Sequence, residues 1–144
     1  MRDSIQGEDV LMPVSDSIEY ADMISALLPL LRFQTSHITL FHVIETPVST
    51  PLEPKAFDTV STEVQSKLEP LREWLVDQGY AVVSKIAIAR RVSDAIIEEV
   101  NSSPYSLVFM MKRRRNKGLM RFFQKSVTEA VIRSVDCPVI SVLV

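Results

Sequence analysis

Leu107-Val-Phe-Met-Met-Lys-Arg-Arg-Arg-Asn-Lys-Gly-Leu-Met-Arg-Phe-Phe-Gln-Lys-Ser-Val-Thr-Glu-Ala-Val131 sets an apolar run, a cationic loop and a segment of helical character in succession. A strand, a loop and a helix N-terminus in that order is the arrangement in which α/β proteins hold phosphate. Such loops are ordinarily glycine-rich, because the backbone approaches the anion closely and often at positive φ. Here Gly118 stands alone among Lys112, Arg113, Arg114, Arg115 and Lys117. The order of elements points to a phosphate site, and the side chains point to an altered one.

Outward from this stretch, apolar runs and amphipathic segments alternate. Val10 to Val14 reads as a buried strand. Ser17 is placed to cap a helix carrying Tyr20, Met23, Ile24, Leu27, Leu28 and Leu31 on one face, with Pro29 as a kink or an early end. His37 to Ile44 is a second strand, followed by a loop with Pro47, Pro51 and Pro54. Lys55 to Gln78 has helical spacing, interrupted by Pro70 and stopped at Gly79. Ala81 to Ala89 is a third strand, and Ser93 opens a short helix whose outer face carries Glu98 and Glu99. Leu107 to Met111 is the fourth strand, Ser126 to Ser134 the last helix, and Pro138 to Val144 the last strand.

Strands alternating with helices predict a parallel sheet covered on both faces, with right-handed crossovers. The strands read as near-continuous apolar runs, as burial of both sheet faces requires. Ligands in such folds bind beyond the carboxyl ends of the strands. Ser15, Asp16, Val43 to Glu45, and Lys112 onward all fall at such ends.

Composition narrows the function classes. The 144 residues fit one domain spanning 1–144, with residues 1–9 expected to be a poorly ordered N-terminus. Apolar content of 47% and charged content of 24% match an ordinary globular protein, and a net charge of −2 gives no global case for nucleic acid. Nor does the basic run interleave aromatics for base stacking, so nucleic acid is not the expected partner. The lone Cys137 excludes an internal disulfide and suits a reducing compartment. No apolar run reaches the roughly 18 residues of a membrane span, and the N-terminus lacks a signal-peptide core, so the expected location is cytoplasmic.

Val10-Leu-Met-Pro-Val-Ser-Asp-Ser17, Ile38-Thr-Leu-Phe-His-Val-Ile44 and the stretch from Gly118 to Cys137-Pro-Val-Ile-Ser-Val-Leu-Val144 resemble the universal stress protein family, in the same order and nearly end to end. The pattern Ser126-Val-x-Glu-x-Val-x-x-x-x-x-Cys-Pro-Val139 is its most specific part. The resemblance implies a flavodoxin-like, adenine-nucleotide-alpha-hydrolase-like three-layer sandwich. Its five-stranded parallel sheet would run in the order 3-2-1-4-5 with four helices, and a homodimer would form through the last strand. Pro138, Val139, Ile140, Ser141, Val142, Leu143 and Val144 would then form the interface, and a proline at Val142 is expected to give monomer or aggregate.

Some members of that family bind ATP through Gly, two residues, Gly, nine residues, then Gly with Ser or Thr. Aligned on Gly118 and Ser126, the three glycine positions fall on Lys112, Arg115 and Lys125, leaving Ser126 and Val127 in place. Ser15 stands where the first strand of ATP-binding members ends in Asp, with Asp16 one place later. Arg90-Arg-Val92 replaces the short Gly-x-Pro turn after the third strand. A non-glycine residue forced to positive φ costs on the order of 1–3 kcal/mol, and long side chains would fill the space of the phosphates. The expectation is therefore a dimeric stress-response or regulatory domain without tight ATP binding and without a cofactor.

The alternative is a switch that binds ATP, another adenine nucleotide or another phosphate anion through the basic loop, since Lys and Arg also bind phosphate by side chain. In it Ser15 and Val43 would face the base, and Ser126 and Val127 the phosphates. Docking onto a protein partner, or a loop that is simply solvated, are the remaining readings of the cations. Replacing Arg113, Arg114 and Arg115 by Ala would separate them. His42, mid-strand among apolar residues, reads as a hydrogen-bonded structural histidine and His37 as exposed. Cys137 reads as a buried small hydrophobe. Two histidines and one cysteine offer no metal site of usual spacing, and Glu45 alone makes no catalytic constellation, so no enzyme is expected.

Overall fold

The central strand β1 (Asp9–Pro13) runs parallel to β2 (His37–Glu45) on one side and to β4 (Leu107–Lys112) on the other. β3 (Ala81–Ala89) pairs outside β2, and β5 (Val139–Leu143) outside β4, so the sheet order is β3-β2-β1-β4-β5. Four helices connect them: α1 (Tyr20–Leu27), α2 (Asp58–Asp77), α3 (Val92–Ser102) and α4 (Leu119–Ser134). This computed structural model describes residues 9–15, 19–27, 37–47, 49, 54–112 and 119–144, with 54, 56 and 119–126 as backbone only. Ser17, Leu28, Pro29, Leu31, Pro51 and the loop 113–118 lie outside the described residues. The expected topology is the one observed.

Each sheet face carries its own core. On one side α1 and α2 bring Met23, Leu27, Leu68 and Leu75 against Val10, Met12, Ile38, Leu40 and Phe109. On the other, α3 and α4 bring Ala95, Ile96, Val100 and Val131 against Leu11, Phe41, Val108 and Met110. Successive side chains of a strand point to opposite faces, so a strand covered on both sides must be apolar throughout. β1 and β4 obey this: Val10, Leu11 and Met12 are 2%, 0% and 0% exposed. β3 does not. Its burial alternates along most of its length, and Val83 is 55% exposed, because an edge strand meets a helix over only part of its surface.

Three local readings change. α2 continues through Pro70, which costs the Ser66 carbonyl its partner. Pro70 and Ser66 are both exposed, so water takes the place of the lost amide. At the other end of the helix the expected stop is present. Gly79 has φ +103, its amide bonds to the carbonyl of Val76 at 2.9 Å, and that of Tyr80 returns to Leu75 at 3.2 Å.

The last helix starts at Leu119 rather than Ser126. The cations around it suggest a loop, but Leu119 to Lys125 contains no glycine or proline and is rich in strong helix formers.

Glu99, placed by periodicity on the outer face of α3, is instead half-buried. Lys85 of β3 donates to its Oε2 at 2.7 Å, and the Tyr105 hydroxyl donates to the same oxygen at 2.7 Å. Burial pushes the Glu99 carboxyl up, but these two donors outweigh it and hold it below the usual carboxylate range. Burial, with the Glu99 carboxylate adding to it, pushes the Tyr105 phenol from 10.0 up to about 12. A raised folded value means that the fold favours the neutral phenol. Its contribution is therefore whole below pH 10.0 and is lost as the pH rises through about 12. Urea midpoints measured across that window should fall with pH, and Tyr105→Phe should flatten the slope; an equal slope in the variant would contradict this account.

Candidate functional site

The carboxyl ends of β1, β2 and β4 surround an open cavity of about 810 Å³, closed at the sides by the starts of α3 and the middle of α4. Its location follows from the topology. Chains leaving β1 and β4 turn to opposite faces of the sheet and part at this point, leaving a crevice that no side chain fills. Pro13, Phe41, Val43, Ile96 and Met110 give it apolar walls.

Hydrogen bonds hold the rim. The Val14 amide donates to Phe41 at 2.8 Å, extending the ladder one step past β1. His42, only 8% exposed, has its Nδ1 2.9 Å from the Val14 carbonyl, so Nδ1 carries the proton and donates. That is the structural histidine expected. The Thr46 amide donates to Ala89 at 2.9 Å, and Arg90 donates to the Thr46 hydroxyl at 3.3 Å and to the Pro47 carbonyl. The Val144 amide donates to the Lys112 carbonyl at 2.8 Å and anchors the end of β4.

Of the candidate residues, Ser15, Val43, Lys112 and Val127 line this one cavity. Asp16, Arg115 and Gly118 lie outside the described residues. Lys125 and Ser126 belong to the backbone of α4, beyond its first turn, where amides are already bonded within the helix. Glu45 is also on the rim, exposed at the end of β2. Arg91, Ser93 and Thr128 join the lining, although none of them was expected there as a site residue. The only available signal was the Arg90-Arg-Val92 turn, since a turn after a strand's carboxyl end faces the crevice.

Glu45, Arg91 and Lys112 line the cavity, and among the described residues none of them forms an ion pair. His37, by contrast, lies 3.5 Å from Asp9 at the opposite, amino end of the sheet, with its side chain 56% exposed as expected. Cys137 is half-buried rather than buried, packed against the core that α3 and α4 share with the sheet, and burial pushes its thiol up, away from the reactive thiolate. Among the described residues no group of three His, Cys, Asp or Glu is placed to hold a metal, and no helix is long and apolar enough to cross a membrane.

Solved structures share this architecture. The universal stress protein UspA from Lactobacillus plantarum is 18% identical over 94% of this chain and 97% of its own, with a TM-score of 0.68. A universal stress protein from Archaeoglobus fulgidus, solved in complex with dAMP, is 14% identical over 93% and 96%, with a TM-score of 0.63. A universal stress protein family protein from Arabidopsis thaliana, solved with AMP bound, is 19% identical over 94% and 91%, with a TM-score of 0.58. At these identities the likeness concerns the fold. No curated protein sequence matches the chain. The sequence pattern of the universal stress protein family, however, matches residues 8–142. With the sheet order, the crevice at its carboxyl ends and that match all in agreement, the chain belongs to the universal stress protein family.

Proposed function

We propose that this protein is a cytoplasmic, homodimeric stress-response regulatory domain that does not hold ATP tightly. The observation that carries this reading is the position of Lys112 and Ser126. Lys112 occupies the cavity wall where the ATP motif calls for its first glycine, and Ser126 lies inside α4 instead of at its free N-terminus. A triphosphate cradle needs unbonded amides and a backbone that can be approached closely. A long cation and a helix interior supply neither. Titration calorimetry with ATP should give heat at low salt that disappears near physiological salt, as for side-chain cations in water. Tight binding that survives salt would overturn the reading.

The cavity supports a second reading, an adenine-nucleotide switch of modest affinity. The relatives from Arabidopsis thaliana and Archaeoglobus fulgidus were solved with AMP and with dAMP, ligands that carry one phosphate. A ligand of that kind needs apolar walls for its base and one cationic contact rather than a triphosphate cradle. Val43, Phe41 and Met110 with Ser15 would meet the base and sugar, and Lys112 with Val127 would lie toward the phosphate.

A further inference from the structure

We infer that the outer edge of β3 is a second self-association surface, pairing antiparallel with β3 of a second copy about a twofold axis at Ser84. The inference stands apart from pairing through β5. β3 closes one side of the sheet, and among the described residues no strand lies beyond it. The Thr46 amide donates to the Ala89 carbonyl, so Ala89 turns its backbone groups toward β2. Backbone groups alternate along a strand, so those of Val82, Ser84, Ile86 and Ile88 point away from the sheet. Edges of this kind are ordinarily blunted by shortness, proline, a bulge or a free charge. β3 has none of these. It is nine residues long against five for β5, and it contains no proline. Its register with β2 is unbroken from Ala81 opposite His37 to Ala89 opposite Glu45. Its one charge, Lys85, is tied to Glu99 of its own chain at 2.7 Å.

The strand's own residues point to a second copy as the occupant. With Ser84 on the axis, Val82 stands opposite Ile86 of the second copy, and the outward groups of the two residues exchange hydrogen bonds. On the face toward α3, Val83 stands opposite Lys85 of the second copy. Val83 is largely exposed, and the apolar stem of that lysine would cover it. Charge is balanced as well: each copy brings its Lys85 ammonium together with its Glu99 carboxylate, so the signs are equal across the seam. An axis at Lys85 would instead set the two ammoniums directly opposite each other, which is unfavourable. β5 is flanked by the exposed Leu143 and Ile132, so β3 is the weaker edge and pairs only at higher protein concentration. Twofold contacts at both edges of one sheet would join copies into an open row rather than a closed pair.

The test is sedimentation velocity over a rising concentration series of the full chain, its Val83→Lys and Val83→Glu variants, and Val76→Lys as a control at an exposed position on α2. Val83 is exposed enough that neither change should disturb the fold. The wild type and the control should gain mass with concentration, past the dimer where β5 pairs and from the monomer where it does not. Val83→Lys sets like charges opposite each other twice across the axis and should weaken that step about tenfold. Val83→Glu sets opposite charges there and should strengthen it about tenfold. A wild type of constant mass at every concentration would overturn the assignment. So would a step that the two Val83 variants shift in the same direction, or no further than the control.

Discussion

A proline at Ser141 is expected to convert the proposed dimer into a folded monomer, whereas a proline at Val142 is expected to damage the fold itself. The difference lies in which way each amide points. The Val108 amide donates to the Pro138 carbonyl, and the Val144 amide to the Lys112 carbonyl. Backbone groups alternate along a strand, so the amides of Ile140 and Val142 also face β4. Those of Val139, Ser141 and Leu143 face away from the sheet. β5 is an edge strand, and a row of unpaired outward groups is a template for pairing with a second copy. Ser141 is exposed and Leu143 is 51% exposed, as is Ile132 of α4 at 52%. This apolar margin is what a twofold mate would cover.

Proline at Ser141 removes an outward donor and leaves the β4–β5 ladder whole, one of the few position types where strands accept proline. In a twofold pairing each copy loses a bond. At about 1 kcal/mol per bond plus the clash of two rings, dimer affinity should fall on the order of a hundredfold. Val142→Pro removes an inward bond in the strand that closes one side of the sheet, and its product should be monomer or aggregate with lowered stability. Sedimentation of both variants beside the wild type checks this. A Ser141→Pro protein that sediments as an unchanged dimer would rule out pairing through β5.

The second large effect is expected at the centre of the sheet. Leu11→Ala should cost about 2–5 kcal/mol, the range for truncating a leucine in a rigid core. Leu11 is 0% exposed, on the strand paired to both β2 and β4, opposite Thr39 and Val108. Its side chain packs in the cluster that joins α3 and α4 to the sheet, so the surroundings have little freedom to close the void. For a chain of this size a loss near the middle of that range corresponds to roughly 10 °C in Tm. Val83→Ala on β3 is the contrasting case. With Val83 55% exposed, its change should remain within about 0.5 kcal/mol. Thermal unfolding of the two variants, followed by circular dichroism, compares them directly. Equal losses would mean that the edge strand is as fully covered as the central one.

The alternation of apolar runs with helical periodicity was enough to establish a parallel sheet and its connections, because burial on both faces leaves a pattern in each element separately. Gly79 as the end of α2 and His42 as a bonded core residue were legible for the same local reason. The resemblance then supplied the strand order, which no single element encodes. Errors arose where a residue's environment comes from a different element. Glu99 looks exposed on its own helix, and only Lys85 of β3 and Tyr105 beyond the end of α3, both outside that helix, engage it. β3 looks like any buried strand until its place at the edge exposes Val83. Arg90 and Arg91 are indistinguishable as letters. Only tertiary structure commits one to Thr46 and Pro47 and leaves the other at a cavity, because side-chain partners are set by which chain ends the sheet brings together.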